Sequence, residues 1–370
     1  MTTIDLDTLL GQAVTAGASD VHLAAGLPPA FRVHGSMAPA PEWPVLTDEV
    51  LRDTLLGILS ERQRGRFDDD LELDFSHTIP QGTSFRVNYY QQRDGLGAAF
   101  RIIPSVIKPL HELGVPRVVE RFAGLPRGLV LVTGPTGSGK STTMASLIDL
   151  ANSTRSDHIV LIEDPIEFLH RSRRCIVTQR EVGTDTHSFA AALVHALRQD
   201  PDIIVIGEMR DAETISIALR AAETGHLVFG TLHTQDAASS INRVVDEFPS
   251  DQQTQVRTQL ANALQGIVSQ TLCRKADGMG RAIATEILVA NNPVRALIRD
   301  GRMHQLYSVL HSGSDEGMHT LDQSLATLVR SGDITFDEAV SRARQVDQLA
   351  QMTGHSTHVV QGRGTAGGGY

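Results

Sequence analysis

Gly134-Pro135-Thr136-Gly137-Ser138-Gly139-Lys140-Ser141-Thr142 decides how the chain is read. The stretch matches the P-loop pattern G-x-x-x-x-G-K-[ST], with Gly134, Gly139, Lys140 and Ser141 in register. Upstream, Gly128-Leu129-Val130-Leu131-Val132-Thr133 is a short apolar run that reads as a buried strand. Downstream, Met144, Leu147, Ile148 and Leu150 recur at helical spacing. Glycines let the backbone curl so that successive N–H groups point inward, and no Cβ blocks a phosphate. The following helix brings its positive end to the same spot. Pro135, Thr136, Gly137, Ser138 and Thr142 complete the cradle. Lys140 would reach the β- and γ-phosphates of a nucleotide, and Ser141 would ligate Mg²⁺. The competing reading is a glycine turn that binds nothing. The flanking strand and helix count against it.

A chain of 370 residues is long for one ordinary domain and suggests two. A hydrophobic content of 41% is enough for globular cores. The net charge of −10 argues against a general nucleic-acid binder, which would carry a basic footprint. The two cysteines, Cys175 and Cys273, cannot supply a four-cysteine zinc site and read as small buried thiols. Acids stand near the N-terminus where a signal peptide would have bases, and no apolar run nears the ~20 residues of a membrane helix. A cytoplasmic protein is expected, with any membrane association running through a partner.

Residues 1–103 read as a mixed α/β domain. Ile4 to Ala16 is amphipathic, and Ala18-Ser19-Asp20-Val21-His22-Leu23 follows as a strand with His22 a hydrogen-bonded packing residue. Ala30-Phe31-Arg32-Val33-His34-Gly35 alternates as a strand, and Thr47 caps a helix expected to run to about Arg64. Asp68-Asp69-Asp70 reads as a solvated acidic face. Ser84 to Gln91 and Gly97 to Ile103 form a hairpin around Asp94-Gly95. Phe85, Val87 and Tyr89 take one face; Arg86 and Arg101 share the other, with Arg93 near the tip. Surface ion pairing is the plain reading of these arginines.

Pro104, Pro109 and Pro116 mark residues 104–125 as a linker and leading helix. From residue 126, apolar strands at His158–Ile162, Ile203–Ile206 and His226–Gly230 alternate with helical patterns at Phe189–Leu197 and Ala212–Ala222. That alternation implies an α/β fold with a parallel P-loop sheet. Asp251 to about Leu349 reads as mainly helical, and residues 351–370 as a disordered tail rich in Gly, Ser and Thr.

Two apolar strands end in acids. Ile159–Ile162 runs into Glu163-Asp164-Pro165-Ile166-Glu167, and Ile203–Ile206 runs into Gly207-Glu208-Met209-Arg210-Asp211. An acid at a strand end beside a P-loop positions Mg²⁺ or its waters, which is the reading for Glu208. Glu163 is then free to orient and deprotonate the attacking water. Glu208 stands where Asp is usual, so its longer arm suggests contact through metal-bound water. His226 and His233 bracket the third strand; without further context both read as satisfied structural residues.

Together these boxes resemble the PilT-type retraction ATPases of type IV pili, within the secretion ATPase superfamily. The resemblance spans about residues 4–345. It rests on Ala18–Leu23, Phe85-Arg86-Val87-Asn88, the P-loop, the box Ile162–Glu167, Asp200-Pro201-Asp202 through Asp211, and Thr224-Gly225-His226 through His233-Thr234. It implies a PAS-like N-terminal domain joined to a RecA-like ATPase domain, ATP and Mg²⁺ as cofactors, and a homo-hexameric ring that works on an inner-membrane pilus platform protein. It makes Glu163 the general base, Glu208 the Walker B acid, and His226 and His233 the His-box residues. It also has Arg86, Arg93 and Arg101 reach phosphates or a neighbouring site. Val294-Arg295-Ala296-Leu297-Ile298-Arg299 resembles a segment the family needs for retraction, with departures at its start. An accessory, PilU-like ATPase shares the core boxes, and a sister ATPase is a further expected partner. Extension and type II secretion ATPases usually add an N-terminal domain and a four-cysteine motif.

Overall fold

The computed structural model describes residues 4–33, 35–104 and 106–355. His34 and the tail from residue 356 lie outside the described residues. The chain divides into two compact units. One runs to Val106 and also holds Glu167–Leu169; the other comprises Ile107–Ile166 and His170 onward.

The first unit is built on strands β1 (Ala18–Ala24), β2 (Ala30–Val33), β3 (Ser36–Pro39), β4 (Glu72–Thr78), β5 (Ser84–Gln92) and β6 (Gly95–Ile103). They form an antiparallel sheet in the order β3-β2-β1-β6-β5-β4. Strand alternation sorts the two faces. Val21, Leu23, Phe85, Val87, Tyr89 and Phe100 are buried with Leu9, Leu51, Leu55 and Phe67 from the helices Leu6–Thr15, Asp48–Leu56 and Glu61–Asp70. Tyr89 meets Phe75 edge-on at 5.0 Å between ring centres. Each such fully buried apolar side chain contributes roughly 1.5–3 kcal/mol. The opposite face carries His22, Arg86, Asn88 and Arg101.

One expectation fails here. The helix read from Thr47 to about Arg64 is two helices, because Ser60 opens a second one with a capping box to Gln63. Ser60-Glu61-Arg62-Gln63 carries the S-x-x-Q signature of that box, so the break was written in the sequence. Asp68, Asp69 and Asp70 end this second helix, exposed.

The second unit holds β7 (Gly128–Thr133), β8 (His158–Glu163), β9 (Ile176–Glu181), β10 (Ile203–Ile206), β11 (Leu227–Leu232), β12 (Leu264–Arg274) and β13 (Arg281–Val289). Their order is β13-β12-β7-β11-β10-β8-β9, parallel throughout except for the β12–β13 hairpin. The middle strands are buried along their length, which is why they read as unbroken apolar runs. Helices cover both faces, as a parallel sheet requires.

Residues 251–349 are mainly helical, as expected, but they also supply two strands of the sheet that were not expected, one of them paired directly with the P-loop strand. Gly266 in β12 is required, since a Cβ there would lie 2.2 Å from the Phe122 ring. Leu110, Val119 and Phe122, expected in a linker, are buried in the second unit. The helix Val346–Thr353 also carries regular structure past residue 350, where a disordered tail was expected to begin.

Candidate nucleotide site

The P-loop joins β7 to the helix Lys140–Thr154. Its glycines adopt conformations that L side chains avoid: φ is 145° at Gly134, 78° at Gly137 and 88° at Gly139. Gly134 is also crowded, since a Cβ would lie 2.3 Å from the Gln270 carbonyl oxygen and 2.6 Å from Ser138 Oγ. Lys140 is 9% exposed, and its Nζ donates to the carbonyls of Gly134 at 2.8 Å and Pro135 at 3.2 Å. These bonds hold the ammonium over the loop, where a phosphate would replace them.

Gln270 of β12 supports the loop from beneath, its Nε2 donating to the Ser138 carbonyl at 2.8 Å. A buried hydroxyl cluster underlies the same loop. Thr133 Oγ1 and Ser269 Oγ are 2.7 Å apart, and Thr234 Oγ1 and Ser240 Oγ are 2.6 Å apart. Ser240 Oγ lies 3.4 Å from Thr133 Oγ1, so one hydroxyl chain runs from the P-loop strand to the residue after His233. Beside the loop is a depression of about 500 Å³, lined among others by Leu272, Arg274, Arg281 and Arg342.

Parallel strands deliver both acids to one edge of the sheet, with Ile206 of β10 in register with Ile162 of β8. Gly207 lets the strand ends approach: a Cβ there would lie 3.1 Å from the Glu163 Cα. Gln179 Nε2 donates to Glu163 Oε1 at 2.9 Å. Glu208 accepts from Arg210 at 2.6 Å and lies 3.2 Å from His233 Nε2. The Arg210 hydrogen bond holds the Glu208 carboxyl below its usual range; burial opposes this, and the His233 and Arg210 charges assist it. His233 thus joins the site, at the carboxyl end of β11.

His226 does not. It precedes β11, where its carbonyl accepts from Gly128 N–H at the start of β7, and its Nδ1 lies 3.0 Å from the Ala221 carbonyl. A strand of this length puts it about 20 Å from the P-loop edge. Within the chain His226 therefore lies at the opposite end of β11 from Glu208 and His233, and its contacts are those of a structural residue.

The arginines lie in the first unit. Arg86 and Arg101 are register partners across β5 and β6, and Arg93 sits in the intervening turn. Asp20, 7% exposed, accepts from Arg101 Nε at 2.8 Å and lies 3.8 Å from Arg32. Burial would raise the Asp20 pKa, but the Arg101 and Ser19 hydrogen bonds outweigh it and the carboxyl sits below its ordinary value. A depression of about 390 Å³ opens on this face.

The residues fit Mg²⁺ in kind: one hydroxyl, Ser141, and strand-end carboxylates are hard oxygen donors. Among the described residues no cluster of three or more His, Cys, Asp or Glu forms a closed cage. Mg²⁺ in sites of this kind leans on substrate phosphates and waters. Also among the described residues, no helix is long and apolar enough to cross a membrane.

Sequence reasoning missed Gln179 and Gln270, because β9 and β12 were not recognised as strands. The signal was a polar residue inside a short β-branched run, as in Ile176-Val177-Thr178-Gln179.

A glycine cradle at a helix start, a lysine over it and two acids on neighbouring strand ends define a P-loop nucleoside triphosphatase. The family model described as "Type II/IV secretion system protein" matches residues 2–341, and the chain belongs to that family. A protein of Pseudomonas aeruginosa named type IV pilus retractation ATPase PilT is 49% identical over 341 residues, covering 92% of this chain and 98% of the relative. The type IV pilus ATPase PilU of the same organism is 41% identical, covering 94% and 91%. The crystal structure of the pilus retraction motor PilT with bound ADP superposes with a TM-score of 0.88 at 45% identity, covering 94% of this chain and 99% of that one.

Proposed function

We propose that the chain is an ATP-hydrolysing motor of type IV pilus retraction, working as a homo-hexameric ring on an inner-membrane platform protein. The observation that carries the reading is the P-loop flanked by Glu163 and Glu208 on strand ends, in a chain 49% identical to a retraction ATPase over nearly its whole length. ATP phosphates occupy the loop from Gly134 to Thr142, and Lys140 exchanges its carbonyl partners for β- and γ-phosphate oxygens. The nucleoside extends into the depression beside Leu272. Mg²⁺, held by Ser141 and, through water, by Glu208, would neutralise developing phosphate charge.

Glu163 accepts a proton from the attacking water. Glu208, held ionised and steered by Arg210, would hold the metal through water, and His233 lies 3.2 Å from the same carboxylate. Arg86, Arg93 and Arg101 serve as cationic groups for a nucleotide at the ring interface, where an arginine finger is worth orders of magnitude in rate. The helix Asn292–Asp300 carries the segment resembling the retraction motif. Its Val294, Leu297 and Ile298 are buried, Arg295 bonds the Ala261 and Asn262 carbonyls, and Arg299 is exposed.

The 41% identity to PilU favours one alternative, an accessory ATPase acting beside a sister motor. Complementation separates the two. Expressed in a twitching host that lacks its own primary retraction ATPase, the chain should restore motility, and Glu163→Ala should not. Restoration only when a primary retraction ATPase is also present would assign the accessory role. Absence of rescue in both backgrounds would refute the retraction reading.

A further inference from the structure

We propose that Gln179 is a positioning residue that fixes the orientation of Glu163. The proposal rests on the reading of Glu163 as the group that takes the proton from water.

The two residues stand on neighbouring parallel strands. Gln179 of β9 is in register with Leu161 of β8, two residues before Glu163, and Glu181 is in register with Glu163 itself. The Gln179 amide bonds in opposite senses at its two ends. Its Oε1 accepts from the His170 backbone N–H at 2.8 Å, and its Nε2 donates to Glu163 Oε1 at 2.9 Å.

The first bond removes the ambiguity of the amide. A backbone N–H can only donate, so the carbonyl end of Gln179 must face His170 and the NH₂ end must face Glu163. The main chain therefore sets which group the carboxylate meets. Glu181 braces the same region, accepting from Ile166 N–H at 3.1 Å and Thr184 Oγ1 at 3.1 Å, so both ends of the Glu163–Ile166 turn are tied to β9.

The chemistry of the donor matters. A lysine or arginine in place of Gln179 would grip the carboxylate but lower its proton affinity. A neutral amide fixes the carboxylate's direction without adding a positive charge. That suits a group that must stay ionised until the water arrives and then accept its proton. At Glu208 the partners are the Arg210 cation and His233, which suit a carboxylate whose role requires permanent charge.

The two bonds can be tested separately. Gln179→Glu is isosteric. It keeps an acceptor for the His170 N–H but sets an oxygen, not an N–H, against Glu163. Gln179→Met keeps the volume and loses both bonds. If Gln179 positions Glu163, Gln179→Glu lowers kcat at least tenfold while KM for ATP and Kd for ADP stay within about threefold, since misplacing a reacting group costs rate before binding. Gln179→Met behaves alike. In the Glu163→Gln background, adding Gln179→Glu removes nothing further from residual turnover.

Wild-type kcat in Gln179→Glu with loss in Gln179→Met would assign Gln179 to holding the His170 segment and overturn the proposal. Additive losses in the double variant would also overturn it. The Glu163→Gln arm reads the underlying assignment separately. Full turnover there refutes Glu163 as the base, and the Gln179 proposal with it; lost turnover there beside an unaffected Gln179→Glu refutes Gln179 alone.

Discussion

Replacing Gly134 with alanine should disable nucleotide binding far more than replacing Gly137, although both glycines have positive φ. At Gly134 φ is 145° and at Gly137 it is 78°. In the left-handed region, where Gly137 lies, an L residue costs on the order of 1–2 kcal/mol, about a tenfold fall in the share of molecules with a competent loop. At Gly137 that is the whole effect, because an added Cβ meets nothing within 4 Å. At Gly134 the Cβ would lie 2.3 Å from the Gln270 backbone oxygen. That contact is about 1 Å too short, and an oxygen held in the β12 ladder cannot swing aside as a side chain could. The loop must shift instead, and it carries the N–H groups that take the phosphates. Titration with a fluorescent ADP analogue should find Gly137→Ala weakened about tenfold and Gly134→Ala at least a hundredfold, by the arithmetic of 1.4 kcal/mol per factor of ten. Thermal unfolding without nucleotide would verify that both variants are folded. Equal affinities for the two variants would refute the argument that close packing against β12 shapes the loop.

His170 gives a pH prediction. Burial pushes its pKa down to about 4, and its buried Nδ1 makes no hydrogen bond. The unfolded chain binds a proton near pH 6.5, whereas the folded chain resists until about pH 4. Stability is therefore unaffected above pH 6.5 and falls between those values, by up to about 3 kcal/mol for this one group. Urea melts of His170→Gln should show a flatter acid limb than wild type across that window. Arg101→Ala should destabilise the N-terminal unit by roughly 1–3 kcal/mol, read by denaturant melts, because buried Asp20 loses its closest cation; Asp20→Asn should recover part of that loss. His233→Gln should lower turnover by tenfold or more, while His226→Gln should leave the turnover of each nucleotide-bound subunit within about threefold, since only His233 reaches Glu208. A reversed order in steady-state ATPase rates would contradict the placement of the two histidines.

The parts legible in the sequence share a cause. The P-loop glycines, the acid-ended strands β8 and β10 and the β5–β6 hairpin are local patterns whose residue types are dictated by nearby geometry. Arg86 and Arg101 fell on one face because strand alternation has a fixed period, and they are direct partners across the hairpin. β12 and β13 were not legible. β12 is buried on both faces beside β7, so Leu264 to Arg274 has no alternation to separate it from a buried helix. Asp277-Gly278-Met279-Gly280 between them is a turn signal, but without a recognisable strand on either side it does not mark a hairpin. Gln270 and Gln179 are invisible in the sequence for the same reason, because each acts on a residue far along the chain through a strand whose residues carry no clear strand pattern. His226 is a different case. A motif groups residues by spacing, but six residues of extended strand separate its two histidines to opposite ends of the sheet.

The central claim is that Glu163 takes the proton in ATP hydrolysis while the P-loop alone suffices for binding. The direct measurement is steady-state ATP turnover of wild type and Glu163→Gln, with ADP affinity and mass in solution recorded on the same preparations. The account predicts rings of about six subunits in both, equal ADP affinity within about threefold, and turnover lowered by a factor of 10²–10⁴ in the variant. Turnover in Glu163→Gln equal to wild type would contradict it.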